Sequence, residues 1–139
     1  MQIRATIADH PPVTETGGAL FGIEPSRGAG ILIVAASGPG PLATHEPARF
    51  ERDLDFTHQT ALKIFESDGA QWVGEWHTHP SGDLTPSALD LSTYQAHLRD
   101  ASLGFSQFIS IIVDPVPASI SAVIWTVTEQ SARATRLRL

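Results

Sequence analysis

Apolar positions along this chain alternate between strand-like and helix-like spacing, and polar breaks set the punctuation. Residues 19–22 and 30–35 are short apolar runs, and the Pro, Ser and Gly between them, over 24–29, predict a hairpin turn. Residues 37–47 hold three prolines and two glycines and predict a loop. A short strand is expected over 50–56. Over 57–67, Ala61, Leu62, Ile64 and Phe65 recur at helical spacing, and Asp68-Gly69 ends the pattern. Residues 71–78 read as a strand and 80–83 as a turn. A second helix is expected from Thr85 as N-cap, with Pro86 in the first helical position, to about Arg99. Leu89, Leu91 and Leu98 are its candidates for packing. Residues 108–113 are almost unbroken apolar sequence, the mark of a buried strand. A turn at 114–117 leads to a strand over 120–127, and 134–139 adds an edge strand.

Strands mixed with two helices predict an α/β architecture: one sheet covered by helices, in a single domain over residues 1–139. The chain carries 42% hydrophobic and 17% charged residues, ordinary for a globular protein that closes its own core. It has no apolar run of eighteen residues, and its opening lacks the basic start and apolar stretch of a signal peptide, so a cytoplasmic protein is expected. The formal charge of −6 argues against nucleic acid as the main partner. Arg133, Arg136 and Arg138 read as a solvated terminal strand. Gly28 and Gly30 fit neither common nucleotide fingerprint.

The chain has no cysteine, which excludes disulfide scaffolds, thiol nucleophiles and thiolate metal sites. Any metal must take nitrogen and oxygen ligands. The informative stretch is Trp76-His77-Thr78-His79-Pro80, followed by Ser87-Ala88-Leu89-Asp90. Histidines at i and i+2 at a strand end project to the same side. Asp90, one turn into the next helix, can return a carboxylate to that point. Two His and one carboxylate leave a fourth zinc position for water, whose pKa the metal lowers. A general base must then move the proton to the leaving group. Glu15 is the candidate, because Gly17 and Gly18 after it let backbone pass close to the site. Ser87 can donate to the oxyanion. Glu75, two residues before His77, is the rival carboxylate and reads as a neighbour of the ligands. The plainer reading of His77, His79 and Asp90 is a buried polar cluster without metal. Asp83 reads as a turn residue, and His10, His45, His58 and His97 as surface or locally bonded histidines. Trp72 and Trp76 read as packing residues, Trp76 on the face opposite the ligands. Thr78 points away likewise, its hydroxyl left for nearby backbone.

With these residues in order, the sequence resembles the JAB/MPN metalloproteases, or JAMM family. Their signature is an upstream Glu, then His-[Ser/Thr]-His, seven residues, Ser, two residues and Asp. Here it stands as Glu15, His77-Thr78-His79, residues 80–86, Ser87, Ala88-Leu89 and Asp90. The resemblance implies a mixed sheet sandwiched by helices, as in cytidine deaminases, and a zinc isopeptidase or peptidase. Such an enzyme cuts after the C-terminus of a ubiquitin-like protein or its conjugate. His77, His79 and Asp90 would bind zinc, Glu15 would be the acid/base and Ser87 would steady the tetrahedral intermediate. Residues 74–83 look like the prokaryotic branch. Its members sit beside conjugation enzymes, some in anti-phage systems that modify a nucleotide cyclase, while others process sulfur-carrier proteins. The chain leaves little room for a helix before Glu15 or for a long substrate clamp, so 37–47 is the extended candidate for substrate contact. A deaminase would need a Pro-Cys-x-x-Cys pair, which is lacking. A non-catalytic MPN module and a ferrous site are the remaining alternatives.

Overall fold

A computed structural model describes residues 2–26, 30–116 and 121–138. Along them run α1 (Gln2–Ala8), β1 (Gly17–Ile23), β2 (Leu32–Ala36), β3 (Thr44–Glu46), β4 (Arg49–Glu51) and α2 (Leu54–Asp68). There follow β5 (Gln71–Thr78), α3 (Ala88–Arg99), β6 (Phe108–Val113), β7 (Ser121–Val127) and β8 (Ala132–Arg138). Six strands form one sheet in the order β2-β1-β5-β6-β7-β8, and β3 pairs with β4 separately. Among the described residues only β5 and β6 pair in parallel. A parallel pair needs a crossover, and α3 lies in it. The fold is the mixed α/β sandwich expected.

Alternation along the strands gives the sheet two apolar faces. Leu20, Trp76, Ile109, Ile111, Val113 and Ala122 pack on one face with Ile3 of α1. On the other, Phe108 and Val127 meet Tyr94 and Leu98 of α3, while Ala19 and Phe21 meet Ala61 and Ile64 of α2. The register between β1 and β5 slips once: Leu20 faces Gly74 and Phe21 faces Trp72, so Val73 is an extra residue. This bulge matters for the site. It puts Val73 with Trp76 on the α1 face and leaves Trp72 on the face of α2 and α3. Trp72 therefore joins Glu75 and His77 on one side of β5, where strict alternation would set it opposite them.

Several expectations are corrected. A helix does precede Glu15: Ile3 and Ile7 of α1 share one helical face and pack on Trp76 and its neighbours. Seven residues are too few to hold a helix by propensity, so tertiary burial supplies it. The strand expected over 50–56 ends at Glu51, because Asp53 caps α2, accepting from the Phe56 amide at 3.1 Å. The loop over 37–47 contains β3. The N-cap of α3 is Ser87, with Thr85 and Pro86 before it; the Thr85 hydroxyl is engaged by Asp83 Oδ1 at 2.7 Å. Of the expected helix stripes, Leu62, Phe65, Leu89 and Leu91 remain exposed, while Ala61, Ile64 and Leu98 pack; Tyr94, not among the expected residues, packs beside Leu98. Parts of the turns expected at 24–29 and 114–117, and residues 120 and 139, lie outside the described residues. No helix among the described residues is long and apolar enough to cross a membrane.

Candidate metal centre

The site forms where β5 ends and α3 begins. His77 and His79 lie two residues apart along the chain, and both imidazoles are buried, 3% and 6% exposed. Asp90 reaches them because of how α3 starts. The Ser87 hydroxyl accepts the Asp90 amide at 3.0 Å, and Asp90 Oδ2 accepts the Ser87 amide at 2.8 Å, a reciprocal cap. The same Oδ2 lies 3.2 Å from His77 Nε2 and 3.1 Å from His79 Nε2. The two Nε2 atoms are 2.9 Å apart. These three residues form a group able to hold a metal ion. Two imidazole nitrogens pointed at each other at that distance need a proton or a cation between them.

Each ring is held from behind. His79 Nδ1 donates to the carbonyl of Asp83 at 2.6 Å, which turns its Nε2 lone pair toward the cluster. Asp83 is thus a turn residue whose backbone serves the site, a role its side chain could not announce. His77 Nδ1 lacks a well-formed hydrogen bond, and Glu75 Oε1 stands 3.4 Å from it. The other oxygen of Glu75 lies 3.6 Å from Arg52 Nη1. Sequence reasoning passed over Arg52 because a lone arginine between a strand and a helix carries no local signal.

Glu15 is buried, its Oε1 4.0 Å from His79 Nε2. Its backbone is stitched on both sides. Glu15 N donates to Glu46 O at 2.7 Å, and His45 Nδ1 donates to Glu15 O at 2.9 Å. The next residue, Thr16, donates its amide to the Thr78 hydroxyl at 3.0 Å, so that hydroxyl does serve nearby backbone. Gly17 permits the approach to β5: a Cβ there would stand 2.3 Å from the Trp76 carbonyl oxygen. His10, expected at the surface or locally bonded, is hydrogen-bonded to the Thr14 hydroxyl at 2.8 Å and lies against His45 with ring centroids 4.3 Å apart. Trp72 and Trp76 pack as expected, and Trp76 donates to Ser37 O at 2.8 Å.

Charge in this pocket is unevenly matched. Burial pushes the Glu15 carboxyl above the ordinary glutamate value, against the pull of His77 and His79. Burial also opposes charge on Asp90, but hydrogen bonds from His77 and His79 prevail and hold its carboxyl far below the usual range. Burial works against a charged His77, yet its hydrogen bond to Asp90 and the neighbouring Glu75 carboxylate outweigh it and push the imidazole up to about 10. A cleft of about 380 Å³ opens on it, lined by Glu15, Glu75, His77 and Asp90 and continuing past Arg52 and Leu89.

A mixed α/β sandwich with two histidines and an aspartate converging between β5 and α3 defines a JAB-type protein. The chain belongs to the family of prokaryotic homologs of the JAB domain, whose profile matches residues 2–138. It is 29% identical over 96 residues to a CD-NTase/cGAS isopeptidase of Escherichia coli (strain TW11681), a match covering 68% of this chain. The chain spans 60% of the length of that relative. It also resembles the solution structure of protein DSY2949 from Desulfitobacterium hafniense, with a TM-score of 0.66 and 20% identity. That likeness covers 96% of this chain and 85% of the other, and it is one of fold.

Proposed function

We propose that residues 1–139 act as one JAB/MPN domain, a zinc-dependent isopeptidase or peptidase cutting after the C-terminus of a ubiquitin-like protein or its conjugate. The observation that carries this is the triangle of His77 Nε2, His79 Nε2 and Asp90 Oδ2, with edges of 2.9 to 3.2 Å. Ligands about 2.0–2.1 Å from a tetrahedral zinc stand about 3.3 Å apart, close to those edges. Two imidazole nitrogens, which shed any proton as a metal binds, and one carboxylate oxygen also suit that ion. Zinc bound there would supply Lewis acidity toward a carbonyl and a water acidic enough to ionise near neutral pH.

The chain's own residues do the rest. Glu15 takes the proton of the attacking water and delivers it to the departing amine as the C–N bond breaks, a role its 4.0 Å separation from His79 Nε2 supports. Burial raises its pKa, the direction that favours holding a proton between the two transfers. Ser87 accepts the Asp90 amide and keeps its own hydroxyl hydrogen free to donate to the developing oxyanion. The cleft beside Glu15 and Asp90 gives an extended tail a path to these groups.

The isopeptidase named among the relatives supports a conjugated nucleotide cyclase as the target class, ahead of sulfur-carrier processing. The test is a set of ubiquitin-like tail fusions and conjugates incubated with the zinc-loaded protein. Release of the tail that stops with a chelator and returns with zinc is the expected result. Release unaffected by chelator would sink the zinc reading. No cleavage of any fusion by a zinc-loaded protein would favour the non-catalytic module.

A further inference from the structure

Beside the ligand set lies one arginine whose burial asks for a reason. The Arg52 side chain is only 16% exposed. Its guanidinium carbon sits 5.1 Å from the centre of the Trp72 ring, and its Nε is buried with no hydrogen-bond partner. Burial pulls its pKa below the usual arginine value, and Glu75 pushes back. A guanidinium stays charged in a protein, so taking it out of water is costly unless other groups compensate. One carboxylate oxygen at 3.6 Å is a partial return.

What that carboxylate faces on its other side supplies the reason. Glu75 Oε1 is 3.4 Å from His77 Nδ1, which has no better-formed bond. Glu75 also lies near Tyr94, whose phenol is pushed up by burial and then by the Glu75 charge. The two ligand imidazoles are thus oriented by different means. His79 is tied to a backbone carbonyl at 2.6 Å, which cannot swing. His77 depends on a side chain that has other places to go. Trp72, Arg52, Glu75 and His77 follow one another along one side of β5, and the bulge at Val73 is what sets Trp72 in that row.

We infer that Arg52 is a positioning residue for the metal centre: lying on the Trp72 ring, it holds the Glu75 carboxylate beside His77 Nδ1, which turns His77 Nε2 toward His79 and Asp90. This rests on the reading that those three residues hold zinc. A planar guanidinium suits the place because it stacks on an indole while presenting an edge to a carboxylate. Groups that orient a ligand from behind typically contribute about 10- to 100-fold in metal affinity.

The test uses the metal-free protein as wild type, Arg52→Met, Arg52→Lys, Glu75→Gln and the Arg52→Met/Glu75→Gln double variant. Each is titrated with zinc alone against a chromophoric chelator, and each is melted without metal. Arg52→Met and Glu75→Gln should each weaken zinc binding about 10- to 100-fold. The double variant should be no weaker than the worse single, because the residues act in series. Arg52→Lys should recover part of the loss by restoring the charge. Zinc binding by Arg52→Met as tight as wild type overturns the inference and leaves the metal reading standing. Losses that simply add in the double variant overturn it too. A wild type that binds no zinc removes the metal reading itself. Should Arg52→Met melt far below wild type, Glu75→Gln decides: unchanged zinc affinity there overturns the inference.

Discussion

Single residues carry two jobs at this site, and the sharpest predictions come from separating them. Ser87 is both the cap of α3 and the proposed oxyanion donor. Ser87→Ala should keep bound zinc, lower turnover by roughly 10²–10³-fold, and cost about 1 kcal/mol of stability. Metal analysis, steady-state kinetics and a urea titration check the three parts independently. Glu15 shows the opposite balance. Its carboxyl is raised by burial, so the folded metal-free protein favours the protonated form. Above both the folded and the ordinary pKa, the ionised side chain works against folding, and that penalty fades as pH falls. Glu15→Gln should therefore raise the metal-free melting temperature at neutral pH while lowering cleavage about 10²–10⁴-fold with zinc retained. In wild type the acid limb of the rate profile should report ionisation of Glu15, and Glu15→Gln should abolish that limb. A melting temperature unchanged from pH 5 to pH 8 relative to wild type would argue that Glu15 is solvated after all.

At the level of elements, local chemistry places some boundaries and packing places others. The start of α3 is chemical. Ser87 and Asp90 exchange hydrogen bonds, whereas Thr85 is bonded to Asp83 outside the helix. Thr85→Ala should consequently cost only a few tenths of a kcal/mol, against about 1 for Ser87→Ala. Equal costs would return the cap to Thr85. The existence of α1 is a matter of packing. Ile3 is 2% exposed within the Leu20, Trp76 and Val113 cluster. Ile3→Ala should cost about 2–5 kcal/mol, read from chemical denaturation, and should loosen α1 in hydrogen exchange. The apolar strand over 108–113 was legible because every residue of it is buried. The helix stripe over 57–67 was legible as a helix but not as to which of its apolar residues pack, since Leu62 and Phe65 face solvent.

For the whole molecule, the His77, His79 and Asp90 cluster ties β5 to α3, and Glu15 ties the segment before β1 to the same point. A ligand that binds only the folded state stabilises it by mass action. Zinc at about 1,000 times its Kd should add about 4 kcal/mol, seen as a rise in melting temperature that a chelator reverses. His77→Ala or Asp90→Ala should lose both the bound metal and that rise. A chelator-insensitive melt in wild type would count against a metal shared by these elements.

The sequence by itself singled out the proposed ligand set. His77 and His79 share a strand face by alternation, and Asp90 reaches them through the first turn of α3, so spacings of two and of three residues carry the site. It also determined the mixed α/β class, through the period of its apolar residues. Tertiary structure alone decided the rest. The slip at Val73 sets Trp72 beside Glu75, and Arg52 and His45 come to the site from distant parts of the chain. The physical reason is one of range: helical and strand periodicity records which way neighbours point, whereas register between strands and the docking of α1 follow from burial shared among residues far apart in sequence.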